Sequence, residues 1–469
     1  MIRRFLRRVD CKSMSALWTV VLPAVLAGCG SSNRASGPTT SSAASEPTPL
    51  LELLTWWQAP GEIDALKELA RLHMSRHPNA RVFNASAGRA DVLQRVLTET
   101  LEGGEPPDPA QLGIKEVRLV PSRFPEVFSS MDPAAQAVNR LEARDPPDLL
   151  QLNVHEIRRL RSLFPDALHS MDGWVDAMGL RRAAFPEALA AVTSAGQVLA
   201  VPINFHRENT LIYSKAIFNA HGLTPPETVA DLITLCAKLK AAGVTPFATA
   251  HQGWILRIMF NAIAAGHMGG AAFRDFFTGA DPKGLPKVRE SLAIFSSLAG
   301  NCANPDAGEA GFGWPNAAQA LFNGEAAMFV HGDWAKGYLT KLGWRPGIDF
   351  DAIAAPGTSD LVLYVVDAFA VPTGAKNGLG ARDFLAMAVS PEGQVAFNSI
   401  KGSIPVRPDV SRTTLDPVAQ KALTDFERAR IRMPSPNSTA LDDAFLKLIV
   451  EKDMAGAEAA LVAYARGAR

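Results

Sequence analysis

Neither charge is in excess: 47 Lys and Arg stand against 47 Asp and Glu. With no basic run interleaved with aromatics, that balance argues against a general nucleic-acid binder. Cysteine is scarce. Of four, Cys11 and Cys29 fall within the first 29 residues, which leaves Cys236 and Cys302. A bond between those two is chemically allowed in an oxidising compartment, and buried free thiols are the other reading. No cysteine or histidine cluster has zinc-ligand spacing. There is no P-loop, no G-x-S-x-G elbow and no H-E-x-x-H; His155-Glu156 lacks the second histidine. After residue 29 no apolar run is long enough to cross a bilayer. Tyrosine is rare, at four residues, whereas tryptophan reaches eight.

What is present begins with an address. Arg3, Arg4, Arg7, Arg8 and Lys12 precede the apolar run Ala16–Leu26, too short to span a membrane comfortably. Leu26-Ala27-Gly28-Cys29 resembles a bacterial lipoprotein signal, which implies lipidation of Cys29; an ordinary secretory signal is the alternative. The two arginine pairs hint weakly at the twin-arginine route. Removing residues 1–29 takes away five bases and one acid, leaving 42 Lys and Arg against 46 Asp and Glu. Residues 30–49 are rich in Ser, Thr and Pro and read as a flexible tether.

The remaining chain is long enough for two or three domains. Leu51–Thr55 reads as a strand, followed by a helix with the stripe Ile63, Leu66, Leu69 and Leu72. Arg81–Ala85 is a second strand and 90–101 a helix. This alternation predicts a mainly parallel sheet covered on both faces. Residues 105–132 recur as 145–172, with 13 of 28 positions identical. Two copies are too few for a solenoid. Pro109 stands where the second copy has Leu149, and a central strand resists proline. Asp148–Leu152 is therefore expected in the sheet, with a displaced insertion near 105–144. Thr228 and Asp231 form a capping-box pattern. Gly308–Asn316 reads as a glycine-rich loop, and Leu361–Pro372 as a strand pair around Asp367.

The stretch 323–339, NGEAAMFVHGDWAKGYL, is a turn, a buried strand over 326–330, a break at His331-Gly332-Asp333, and a helix that Asp333 would cap. Such a junction puts Asp333 and Trp334 at a strand's carboxyl end, where open α/β sheets keep their ligands.

In order along the chain come TWWQAPGE, DPPDLLQLN followed by HE, VPINFHRENTLIYSKAIF, KLKAAGVTPFA, GEAAMFVHGDWAKG, VVDAFAVP and KGSIPVRPDV. Together they resemble extracellular solute-binding proteins of bacterial ABC sugar importers, of the family 1 type and its glucose/mannose-binding branch. Two features depart from that pattern: the duplication, and the segment 433–437, where sugar-binding relatives often place a histidine. The resemblance implies an α/β, two-lobed periplasmic-binding-protein fold with three interlobe crossings. The first lobe would be 50–203 plus 368–403, and the second 206–364 plus 405–469. It implies sugar contacts from Trp56, Trp57, Glu62, Gln151, Asn153, His155, Trp254, Trp314, Asp333, Trp334, Asp367 and Lys401. Asn204, His206 and Arg207 would serve the hinge.

The residue types suit that role. A pyranose offers C–H faces to flat aromatics and hydroxyls to planar polar groups. Each side chain also has a structural reading: core cover for the tryptophans, a cap for Asp333, a helix-terminus charge for Glu62, a surface position for His155, a hinge ion pair for Asp367. Neither cofactor nor metal is expected. The expected partners are a small sugar and the permease subunits, with the membrane reached only through lipid, no nucleic acid, and the protein a monomer in the periplasm or at the cell surface. Competing readings are a secreted glycoside-active enzyme, for which Glu62, Asp333 and Asp367 are the available carboxylates, and a ligand-free scaffold lipoprotein.

Overall fold

The computed structural model describes residues 50–84, 133–281 and 284–467. The expected leader with Cys29, the tether, the 90–101 helix and the first copy of the duplicated segment lie outside the described residues. Among the described residues, no helix is long and apolar enough to cross a membrane.

Thirteen strands are described: β1 (Leu50–Leu54), β2 (Arg81–Asn84), β3 (Leu149–Leu152), β4 (Thr193–Ser194), β5 (Gln197–Val198), β6 (Val201–Arg207), β7 (Thr210–Ser214), β8 (Thr245–Phe247), β9 (Ala326–His331), β10 (Phe350–Ala354), β11 (Leu361–Ala370), β12 (Ile404–Pro405) and β13 (Ile431–Pro434). One sheet has the order β12-β6-β11-β3-β1-β2, with β13 also on β11; a second has β10-β7-β9-β8. β3 holds the sheet position expected of the second copy, parallel to β1 and antiparallel to β11.

The expectation of a mainly parallel sheet is corrected. β11 runs antiparallel to both β3 and β6, and β7 antiparallel to both β9 and β10. The cause is connectivity. β6 leads directly into β7 of the other sheet, and β11 returns, so neither needs the helical crossover that parallel neighbours require. Nor is Leu361–Pro372 a strand pair: β11 is one strand, with a register shift at Asp367/Ala368.

Each sheet has its own core. Trp57, Leu69, Leu150, Phe205, Phe369, Phe384 and Phe397 belong to the first. Leu211, Phe247, Phe260, Phe295, Met328 and Phe445 belong to the second. Residues 405–469 were expected together in the second lobe. Instead Val406, Leu415, Leu423 and Phe426 pack in the first core, while Leu441 to Ala465 pack in the second. The apolar stripe of the helix Pro417–Arg428 requires burial but does not say in which core.

Cys236 and Cys302 are bonded, with Cα atoms 6.2 Å apart, and join positions 66 residues apart. Closing a loop of that length stabilises the fold by about 4 kcal/mol in the chain-entropy description. The double variant Cys236→Ser/Cys302→Ser is expected to lose about 2–5 kcal/mol in urea denaturation. A loss below about 0.5 kcal/mol would show that the bond does not constrain the unfolded chain.

Candidate functional site

The ends of the parallel strands converge. β1 opens into the loop 55–61, β3 ends at Leu152 just before Asn153, β8 leads to Trp254, and β9 ends at His331. The helix Trp334–Lys341 starts at this junction and packs against two elements of the first sheet's lobe. A Cβ on Gly61 would lie 2.9 Å from Gly337 C, and one on Gly337 would lie 2.6 Å from Ile400 O. Only glycines allow the three backbones to approach this closely.

Asp333 does not cap its helix; the side chain makes no cap bond and the residue is already in the helical region. Its Oδ1 lies 2.5 Å from His206 Nδ1, and its Oδ2 accepts from Arg207 N–H at 2.9 Å. A buried carboxylate takes the strongest donors in reach, and these come from the neighbouring crossing strand rather than from its own helix. His206 Nε2 in turn lies 3.2 Å from Asp367 Oδ2, without hydrogen-bond alignment. Asp367 also accepts from Asn204 Nδ2 at 3.4 Å. The three residues expected at the hinge and two of the predicted ligands thus form one buried cluster.

Burial and the Lys401 charge push the His206 pKa down, but the Asp333 and Asp367 carboxylates outweigh them, and it lies above the ordinary 6.5. For Asp367, burial raises the value, and His206, Lys401 and Asn204 bring it below the ordinary 3.8. A raised histidine value stabilises below 6.5 and is lost as pH climbs through the folded value. A depressed aspartate value stabilises above 3.8 and is lost as pH falls through its folded value. Urea midpoints are therefore expected to be highest between about pH 4 and 6.5 for this pair and to decline toward pH 9. His206→Gln should remove the alkaline decline; an unchanged decline would assign it to other groups.

Lys401, the last residue of the helix Pro391–Lys401, places Nζ 2.8 Å from Glu62 Oε1 and 5.7 Å from the centre of the Trp57 ring. Glu62 Oε2 accepts from the N–H groups of Gln58 and Ala59 at 3.3 and 3.2 Å. Trp57 is fully enclosed between Phe369 and Phe397. Trp56 is half-buried and donates its backbone N–H to Gln151 Oε1 at 3.1 Å. Asn153 caps the helix Val154–Leu163 in a capping box with Glu156, and His155 is exposed on that helix.

Trp314 does not sit in a loop, as expected, but opens the helix Trp314–Phe322 behind Gly313. It shares a ring cluster with Trp254 and Trp334 whose centre is a residue the sequence reading passed over. His331 lies 5.3 Å from Trp254, 5.9 Å from Trp314 and 4.8 Å from Trp334, ring centre to ring centre. Trp254 and Trp334 are 6.2 Å apart. His206 meets Trp334 edge-on at 5.0 Å, which links the ring cluster to the acids. The signal for His331 was present: a polar residue ending an apolar strand two positions before Asp333. Arg257, with Glu208 at 3.5 Å and Asp442 at 2.7 Å, was also missed; its partners are too distant in sequence to leave a local mark.

Several buried polar atoms here have no hydrogen-bond partner among the described residues: Trp57 Nε1, Gln151 Nε2, Asn204 Oδ1, His206 Nε2 and His331 Nδ1. Buried polar groups are nearly always paired, so these atoms call for water or ligand partners, apart from His206 Nε2, which faces Asp367 Oδ2. No group of three or more metal-ligating side chains suited to a metal ion occurs among the described residues.

A two-lobed α/β receptor, with flat rings and polar groups gathered where the lobes meet, is the class that fold and junction define. The profile of the bacterial extracellular solute-binding protein family matches residues 110–424. An uncharacterized ABC transporter extracellular-binding protein of Pyrococcus horikoshii is 30% identical over 92% of this chain and 89% of its own. A probable sugar-binding periplasmic protein of Mesorhizobium japonicum is 34% identical over 50% of this chain and 56% of its own. Among solved structures, a chitin oligosaccharide binding protein superposes with a TM-score of 0.65 at 15% identity, covering 90% of this chain and 98% of that one. The chain belongs to the bacterial extracellular solute-binding protein family.

Proposed function

We propose that this protein captures a monosaccharide or small oligosaccharide, glucose- or mannose-like, between its lobes outside the cytoplasm and delivers it to an ABC permease. The observation that carries this reading is the gathering of Trp254, Trp314 and Trp334 beside the Asp333–His206–Asp367 cluster. Flat rings suit the C–H faces of a pyranose, and the unpartnered donors and acceptors suit its hydroxyls. Family membership and a relative named for sugar binding support the same reading. Trp56, Gln151, Asn153 and Lys401 complete the proposed contacts from the first sheet's side. Because the acids are buried, a sugar reaches them by lobe opening and closure about β6 and β11. No bond is made or broken. The protein works as a lipid-tethered monomer held through Cys29.

Tryptophan fluorescence and calorimetry against d-glucose, d-mannose, d-galactose, d-xylose and maltose, with product analysis, test the proposal. Saturable binding without turnover is expected. Hydrolysis of a glycoside would favour the enzyme reading, and silence across the panel would favour a scaffold.

A further inference from the structure

Trp334 Nε1 lies 3.0 Å from His331 Nε2. An indole nitrogen can only donate, so His331 Nε2 must offer a lone pair and the imidazole proton must sit on Nδ1. Nδ1 is buried, and among the described residues it has no hydrogen-bond partner. The ring is fully enclosed. Phe329 stacks on it at 4.5 Å and 11°, which leaves the imidazole little freedom to turn. Burial, and then the charge of His206, hold its pKa well below the ordinary histidine value, so it stays neutral.

Trp334 is constrained from its other side as well. A Cβ on Gly332 would lie 1.9 Å from Trp334 Cζ3, so the indole lies folded over the glycine backbone. Trp254 directs its own Nε1–H to Gln252 Oε1 at 3.2 Å. That leaves its ring face, not its N–H, to meet a ligand.

We propose that His331 is a specificity-determining residue of the candidate site, with Nε2 fixing the Trp334 indole and Nδ1–H held as a single directed donor for an acceptor oxygen of the bound sugar. This rests on the sugar-binding reading above. The ligand class follows from the tautomer. A nitrogen that carries a proton selects a solute with an acceptor oxygen and gives a cation no lone pair to bind.

Two measurements on the full chain test it. Nitrogen-15 NMR of histidine-labelled protein at pH 7 should show one neutral imidazole protonated at Nδ1 and absent from His331→Phe. A ring protonated at Nε2, or at both nitrogens, overturns the assignment whatever binds. Calorimetry with d-glucose, d-mannose, d-galactose and d-xylose is the second. For whichever of these the wild type binds, His331→Phe keeps a flat ring among the indoles and should lose about tenfold or more in affinity, the worth of a buried hydrogen bond. His331→Gln, with one acceptor and one donor, should recover part of it. In a Trp334→Phe background His331→Phe should still weaken binding, because Nδ1–H acts on the sugar directly. Unchanged affinity in either background overturns the directed donor. If the wild type binds none of the four sugars, the donor assignment falls with the sugar reading. An Nδ1-protonated ring would then mark the failure as the ligand's and not the imidazole's.

Discussion

Asp333→Ala is expected to lower the unfolding free energy by about 3–5 kcal/mol, as for one partner removed from a buried ion pair. Asp333 is 5% exposed and serves two donors at once, His206 Nδ1 at 2.5 Å and Arg207 N–H at 2.9 Å. Without it, His206 faces Asp367 alone, and the Arg207 amide has lost a buried acceptor, itself a cost of about 1–3 kcal/mol. The loss should shrink when position 206 no longer carries an imidazole. In a cycle with His206→Phe, groups in one network couple by about 0.5–3 kcal/mol, and the upper part of that range is expected here. Urea denaturation of the four proteins measures it. Equal losses in both backgrounds would mean that the carboxylate and the imidazole do not couple.

Trp254→Ala is expected to weaken sugar binding by about 2–4 kcal/mol, roughly thirtyfold to a thousandfold, as for a central aromatic anchor. Trp254 is the suitable ring because it is only partly buried and opens the helix Gly253–Met268 rather than filling its core. The variant should therefore keep its fold. Trp334, at 9% exposure, is a poorer choice, since deleting a buried indole costs about 3–5 kcal/mol of stability in its own right. Calorimetry with the sugar that the wild type binds reads the effect. Affinity within a factor of two of wild type would remove Trp254 from the site.

Local features were legible in the sequence. The turn, strand and helix of 323–341 follow from an apolar run between Gly324 and Gly332, and β9 ends within one residue of the expected position. Pro109 against Leu149 was enough to place β3. The Thr228–Asp231 capping box stands as its spacing required. Long-range pairing was not legible. Asp333 followed the rule for helix caps in sequence, yet its partner His206 stands 127 positions away. Strand direction depended on whether β6 turned back or crossed to the other sheet, which no periodicity encodes. Glu62 and Lys401, read separately as ligands, hold each other across 339 positions. The helix 417–428 has an amphipathic face that either core could have taken. For His331 the local signal was legible but ambiguous, since a lone histidine at a strand end also reads as a break, and its place among three indoles depends on separate elements.

The most direct measurement is a crystal structure of the protein grown with the sugar that calorimetry selects. Density for a pyranose is expected with one face against Trp254, and with hydroxyls in reach of the unpartnered Gln151 Nε2, Asn204 Oδ1 and His331 Nδ1. A sugar seated on an outer surface, with those atoms left as they are and the indoles untouched, would contradict it.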